Sequence, residues 1–285
     1  MRHVRSAKGV SAKATDSGHA DMAPADAYNL GARRHFQGDV EGAKAAYQQA
    51  IDSCDPVWAP AAAINLGVLL ELQGDVDGAK AAYRQGIDSG DPDAAPGPAL
   101  NLGTLLAEQG DVDGARAAFQ QAIDSGDPDA APRAAVNLGN LLADHGDVEG
   151  ARAAYQQAID SGHLDMAPWA SVCVGNLLAD QGDVEGARAA YQQAIDSGHL
   201  YLAPGAAANL GDLLANQGDV EGARAAYQQA IDSGDPDAAP GAALSLGNLL
   251  ADQGDVEGAR AAYQQAIDSG DPEASALAAR LQALG

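Results

Sequence analysis

The stretch GDVEGARAAYQQAIDSG at residues 182–198 decides the fold, because it occurs unchanged at residues 146–162, 218–234 and 254–270. Its first three residues, Gly-Asp-Val, recur seven times at intervals of 36 residues, from Gly38 to Gly254. An Ala-Pro pair keeps the same interval. A strict period of this length is typical of stacked supersecondary units, each packed on its neighbours in sequence, and not of one globular core.

One unit, residues 204–239, shows how the repeat is built. Pro204 suits the first turn of a helix, and Gly218 can end that helix by adopting a positive φ. Asp219 then suits the N-cap of a second helix, whose apolar residues are spaced three and four apart. Neither helix can bury its apolar face alone, so each unit depends on the next.

Numbered from its proline, the unit has five signature residues: Leu210 at 7, Gly211 at 8, Ala223 at 20, Tyr227 at 24 and Ala230 at 27. This pattern resembles the tetratricopeptide repeat, in which small residues at 8, 20 and 27 let the helices approach closely. Position 4 is mostly alanine instead of a bulky aromatic residue, and the loop between units is longer, with some Sel1-like repeat character. The resemblance implies an all-α, right-handed α-solenoid of tandem helix–turn–helix repeats.

The expected organisation follows from this repeat. Residues 1–15 are predicted to be a disordered basic leader, and residues 16–23 a degenerate inter-repeat loop. Seven repeats occupy residues 24–275, and a C-terminal helix at 273–285 is expected to cap the last of them. The recurring aromatic of the second helix is expected to be buried between adjacent units, as Tyr47, Tyr155, Tyr191, Tyr227 and Tyr263.

The formal net charge of −24 argues against nucleic acid and anionic membrane as partners and favours a basic or neutral one. Solubility alone is the simpler explanation of the charge. Cys54 and Cys173 lie far apart in the sequence and do not indicate a disulfide framework. Reduced thiols favour a cytoplasmic location, which we therefore expect. No phosphate loop, metal motif or nucleophile elbow is present, so neither a cofactor nor enzyme activity is expected.

Variation among the units is concentrated in the first helix, whereas the second helix is nearly constant. In tetratricopeptide proteins these first-helix positions line a concave groove that holds ligand segments. The resemblance therefore implies a groove in this chain, and drift with local gene homogenisation is the alternative. The candidate groove residues are Asn101, Thr104, Glu108, Arg133, Asn137, Asn140, Asp144, Trp169, Asn176, Asp180, Asn209 and Asp212.

Two functions remain open from the sequence. The first is a protein–protein interaction scaffold that binds a peptide or protein segment in the groove. The alternative is a self-associating structural module without a dedicated ligand. In that case the first unit, which has no evident covering helix, would form a weak homodimer through Tyr28 and Phe36.

Overall fold

A computed structural model of the chain describes residues 22–89 and 95–268, and every regular element in these residues is an α-helix. The helices form seven helix–turn–helix pairs, which confirms the predicted all-α repeat class. They are α1 Pro24–Phe36, α2 Val40–Asp52, α3 Trp58–Glu71, α4 Val76–Asp88, α5 Pro96–Glu108, α6 Val112–Asp124, α7 Ala130–Asp144, α8 Val148–Asp160, α9 Met166–Asp180, α10 Val184–Asp196, α11 Leu202–Asn216, α12 Val220–Asp232, α13 Ala239–Asp252 and α14 Val256–Asp268.

The chain divides into two compact bodies, Met1–Ser89 and Gly90–Gly285. In the first body, α1 packs on α2, α2 on α3, and α3 on α4. In the second body the same sequential packing runs from α5 to α14, and each first helix also contacts the first helix of the next unit. The first helices of a body therefore form one continuous face.

The turn between the two helices of a unit is built by the Gly-Asp-Val tripeptide. Gly218 has a φ of +77°, a backbone conformation that other residues rarely adopt. The next residue, Asp219, donates its backbone N–H to the Leu214 carbonyl oxygen at 3.0 Å. Its carboxylate caps α12 by accepting a hydrogen bond from the Gly222 N–H at 3.0 Å. The predicted end and start of the two helices are both confirmed here.

Within each unit the two helices meet where the aromatic ring of the second helix lies on a glycine of the first. A Cβ atom added at Gly211 would stand 2.5 Å from Cδ1 of Tyr227, so only glycine fits under this ring. The predicted burial of Tyr47, Tyr155, Tyr191, Tyr227 and Tyr263 is confirmed, and each ring contacts the glycine of its own unit.

The loops between units end in a second type of helix cap. In the loop before α7, Oδ1 of Asp127 accepts hydrogen bonds from the N–H groups of Asp129 and Ala130, at 3.0 and 2.7 Å. In the loop before α11, Nδ1 of His199 accepts from Tyr201 and Leu202 instead, at 3.3 and 3.2 Å. An imidazole therefore replaces a carboxylate, and His163 does the same before α9.

Several predicted boundaries fall outside the described residues. These are the leader at 1–15, most of the loop at 16–23 and the capping helix at 273–285. The described part of the repeat array begins with α1 at Pro24 and ends with α14 at Asp268. No helix among the described residues has the length and apolar character that a membrane crossing requires.

Candidate functional site

The first helices α5, α7 and α9 of the second body line a cavity of about 410 Å³. We call it the apolar chamber, because its walls include Leu100, Val136, Met166 and Trp169. Trp169 keeps 46% of its surface exposed, although it lies on a packed helix. Six candidate groove residues line this one cavity, namely Asn101, Thr104, Arg133, Asn137, Asn140 and Trp169.

A second cavity of about 330 Å³ adjoins the first and shares Thr104, Asn137 and Asn140 with it. We call it the acidic chamber, because two more candidate residues, Glu108 and Asp144, stand in its wall. Both carboxylates are exposed and neither forms an ion pair in the described part of the chain. The two chambers together make a continuous groove along the first helices.

The side chain at position 9 of several units accepts a hydrogen bond from a buried tyrosine, a structural role that the sequence analysis did not predict. The Tyr155 hydroxyl donates a hydrogen bond to Oδ1 of Asn140 at 2.7 Å, and the Tyr191 hydroxyl donates to Oδ1 of Asn176 at the same distance. Tyr227 donates to Oδ1 of Asp212 at 2.6 Å. The constant separation of 15 residues between an amide or carboxylate and a tyrosine is the sequence signal that marks these pairs.

The second and third units, which have no amide or carboxylate at position 9, support this interpretation. In the second unit position 9 is Val68, and the Tyr83 hydroxyl donates to Oε1 of Glu71 at 2.6 Å instead. In the third unit the aromatic is Phe119, which needs no acceptor, and position 9 is Thr104. The residue type at position 9 therefore depends on whether the buried aromatic ring needs a hydrogen-bond acceptor there, in addition to any role of position 9 in the groove.

Burial dominates the ionisation of these phenols. It raises the pKa of Tyr191 to about 12, and the nearby carboxylates of Asp180 and Asp212 act in the same direction. The pKa of Tyr155 is also raised, first by burial and then by Cys173. The phenols are therefore neutral hydrogen-bond donors at physiological pH.

Three side chains in the apolar chamber have polar atoms without a partner in the described residues. The side-chain amides of Asn101 and Asn137 form no hydrogen bond with the protein, although both side chains are half-buried. The exposed Arg133 forms no ion pair, and it is the sole lysine or arginine on α5, α7, α9, α11 and α13. These groups are free to bind polar atoms of a ligand.

The other candidate residues lie apart from both chambers. Asn176 and Asp212 accept from buried tyrosines, and Nδ2 of Asn209 donates to Oδ1 of Asn176 at 3.4 Å. In the first body, the ring of Tyr28 lies 5.2 Å from that of Trp58, so it is engaged within its own body. Phe36 by contrast is 94% exposed.

The repeat geometry agrees with a comparison of the sequence with known families. The model of the tetratricopeptide repeat family matches residues 28–95, 100–164, 175–243 and 244–284, which together make up most of the chain. The chain belongs to the tetratricopeptide repeat family. Proteins with these repeats generally act as scaffolds for protein–protein interaction. A Sel1-like character of the inter-unit loop is not confirmed.

Solved structures share the fold of this tetratricopeptide repeat protein at low identity. The Pseudomonas aeruginosa pilF structure has 20% identity and a TM-score of 0.53, with 72% of this chain and 89% of that chain covered. BtubC from P. vanneervenii has 20% identity and a TM-score of 0.52, with coverages of 74% and 89%. A tetratricopeptide repeat protein from Parabacteroides merdae has 15% identity and a TM-score of 0.50, with coverages of 91% and 98%. No curated protein matches the sequence significantly.

Proposed function

We propose that this tetratricopeptide repeat protein binds an extended segment of a partner protein in the groove of α5, α7 and α9. The observation that carries the proposal is the pair of adjoining chambers, which gathers eight of the twelve candidate residues. The half-buried amides of Asn101 and Asn137 offer donors and acceptors that match a peptide backbone. A concave, largely apolar site with a few convergent polar groups is typical of a binding site.

The segment is basic or neutral in net charge. The protein has a net charge of −24, and Glu108 and Asp144 face the groove. Attraction between solvated charges is screened over about 8 Å at physiological ionic strength, so affinity should fall as salt is added. Acidic residues of a segment would be repelled where it passes Glu108 and Asp144.

The experiment is a selection from a peptide library displayed on phage, followed by affinity measurements on the selected peptides. We expect the double variant Asn101→Ala/Asn137→Ala to bind the selected peptides at least about tenfold more weakly, because two unpaired backbone groups would remain on each peptide. The matched control is Gln228→Ala/Gln229→Ala, on the second helix α12. Equal loss in both variants, or no loss in the first, would overturn the proposal.

Self-association is a second candidate that one observation favours. Phe36 and Leu72 occupy the same position at the ends of α1 and α3, and they are 94% and 75% exposed. Exposed apolar groups of this size favour a weak isologous dimer of the first body. Sedimentation across a concentration series tests it. Phe36→Ser should abolish association, and a parent protein that is monomeric at high concentration would exclude this function.

A further inference from the structure

The two chambers of the groove differ in chemistry, although they share Asn137 and Asn140. Trp169 stands half-exposed in the wall of the apolar chamber and offers an aromatic surface to a ligand. The acidic chamber presents the carboxylates of Glu108 and Asp144. A ligand that crosses the shared amides therefore meets an apolar environment on one side and a negative one on the other.

We propose that the groove recognises a two-part sequence: a large apolar side chain in the apolar chamber and a lysine or arginine in the acidic chamber. This inference rests on the proposed function and specifies its ligand. Burial of the apolar side chain against Trp169 and Met166 supplies affinity. The pair of carboxylates supplies selectivity for a cation, because no lysine or arginine of the described chain forms an ion pair with them. The imidazole of His145, in the same wall, donates its Nδ1–H to the Leu141 carbonyl oxygen at 2.8 Å and forms no ion pair with either carboxylate.

The dimensions of α7 set the spacing between the two parts. Arg133 marks the apolar end and Asp144 the acidic end, and the two are eleven positions apart on the helix. At 1.5 Å per helical residue this corresponds to about 16 Å. An extended peptide advances about 3.3 Å per residue, so about five residues cover the same length. Because the side chains reach toward the chamber centres, we expect a separation of about three to five residues.

Arg133 gives the ligand an orientation. It is the one lysine or arginine among the first helices of the second body, and it stands at the apolar chamber. A carboxylate next to the ligand's apolar side chain would pair with this guanidinium, whereas a second cation there would be repelled. The favoured segment therefore carries its negative charge at the apolar end and its positive charge at the other.

The test uses synthetic peptides in a serine–glycine background. The full probe carries aspartate and leucine together, followed by lysine four positions after the leucine, and three controls lack the leucine, lack the lysine or exchange the two charges. Fluorescence anisotropy measures the affinity of each. We expect the full probe to bind most tightly, with about a fivefold loss when lysine is absent and a larger loss when leucine is absent. Addition of salt should reduce the advantage that lysine gives.

Variants of the protein separate the two chambers. Glu108→Gln/Asp144→Asn should remove the preference for lysine, so that the full probe and the lysine-free probe bind this variant with similar affinity. Trp169→Ala should weaken every probe that carries leucine, by more than about tenfold. Asp237→Asn/Asp252→Asn, two exposed carboxylates in the loop before α13 and at its end, matches the change of two charges outside the groove and should retain the preference.

The outcomes distinguish the inference from the proposed function. If library peptides bind through Asn101 and Asn137 but the full probe and the lysine-free probe bind equally, the two-part recognition is wrong and the groove function stands. If the preference for lysine persists in Glu108→Gln/Asp144→Asn, the carboxylates of the acidic chamber do not cause that preference, and the two-part recognition is again wrong. If library binding is insensitive to both asparagines, the groove function itself fails.

Discussion

Tyr155 and Asn140 join the core of the protein to its groove. The Tyr155 hydroxyl donates to Oδ1 of Asn140 at 2.7 Å, and Nδ2 of the same amide remains available to the apolar and acidic chambers that Asn140 lines. The ring itself is buried and lies on Gly139, where an added Cβ would overlap it. One asparagine thus positions a buried phenol and also lines the candidate binding surface.

The first prediction concerns this hydrogen bond. Tyr155→Phe should lower the free energy of unfolding by about 0.5–1.5 kcal/mol, the usual net value of one hydrogen bond, because the exposed Asn140 can turn to water. Urea denaturation of Tyr155→Phe, Asn140→Ala and the double variant measures the coupling. Since both single changes remove the same bond, their effects should not add. Simple additivity would show that the bond contributes nothing.

The second prediction compares two glycines of α11. Gly211→Ala should destabilise the protein by about 1–3 kcal/mol, because its Cβ would stand 2.5 Å from Tyr227 and force the ring to move. Gly205→Ala should instead stabilise it by about 0.5–1 kcal/mol, since nothing lies within 4 Å of that Cβ and alanine favours helix. Thermal unfolding of both variants checks the opposite signs, and a shift in the same direction would contradict the packing described here.

The third prediction concerns alkaline pH. An unfolded tyrosine ionises near pH 10, whereas burial holds the pKa of folded Tyr191 at about 12. The folded state therefore binds more protons between these values, and stability is lost as pH rises through this window. The slope is at most about 1.4 kcal/mol per pH unit for this tyrosine.

Urea denaturation between pH 8 and 11.5 measures that slope in the parent and in Tyr191→Phe. The free-energy difference between the two should be constant below pH 9 and should shrink from pH 10 upward, because the variant has lost the titrating group. Gln192→Ala, an exposed neighbour, is the control and should keep the parental slope. A difference that is independent of pH would show that the pKa of Tyr191 is the same in the folded and unfolded protein.

The fourth prediction concerns the imidazole cap of α11. His199→Ala should destabilise the protein by about 1 kcal/mol, because the N–H groups of Tyr201 and Leu202 lose their shared acceptor. His199→Asn should retain most of the stability, since an amide oxygen can accept the same bonds. Hydrogen exchange at these two amides, together with thermal unfolding, tests the difference. Equal protection in both variants would mean that Nδ1 does not cap the helix.

His199 also forms a hydrogen bond with a residue of the preceding inter-unit loop. Nε2 of His199 lies 3.2 Å from Oδ1 of Asp165, a residue of the preceding loop. Because Nδ1 accepts two backbone N–H groups, the proton of a neutral ring must lie on Nε2, and Asp165 then accepts from it. No local pattern around His199 indicates this contact, because the two residues lie 34 positions apart and only the stacking of consecutive units places them together.

The sequence by itself determined the helical repeat, since its signals are local. Gly218 and Asp219 specify a turn through one positive φ and one capping carboxylate, and the same tripeptide does so in every unit. The period of 36 residues predicts that the tyrosines are buried, because each occupies the same position in an amphipathic second helix. The resemblance to the tetratricopeptide repeat could be recognised from the sequence because its signature residues also recur at fixed positions of each unit.

Only the tertiary structure decided how the first-helix residues divide between core and groove. Asn137 and Asn140 are close in sequence and share both chambers, yet Asn140 accepts from a tyrosine 15 residues away, whereas Asn137 has no partner in the described chain. Likewise the ring of Tyr28 packs against the ring of Trp58, whereas Phe36 on the same helix is exposed. Such differences depend on the distance between side chains of separate helices, which the packing of whole units fixes and no local pattern encodes.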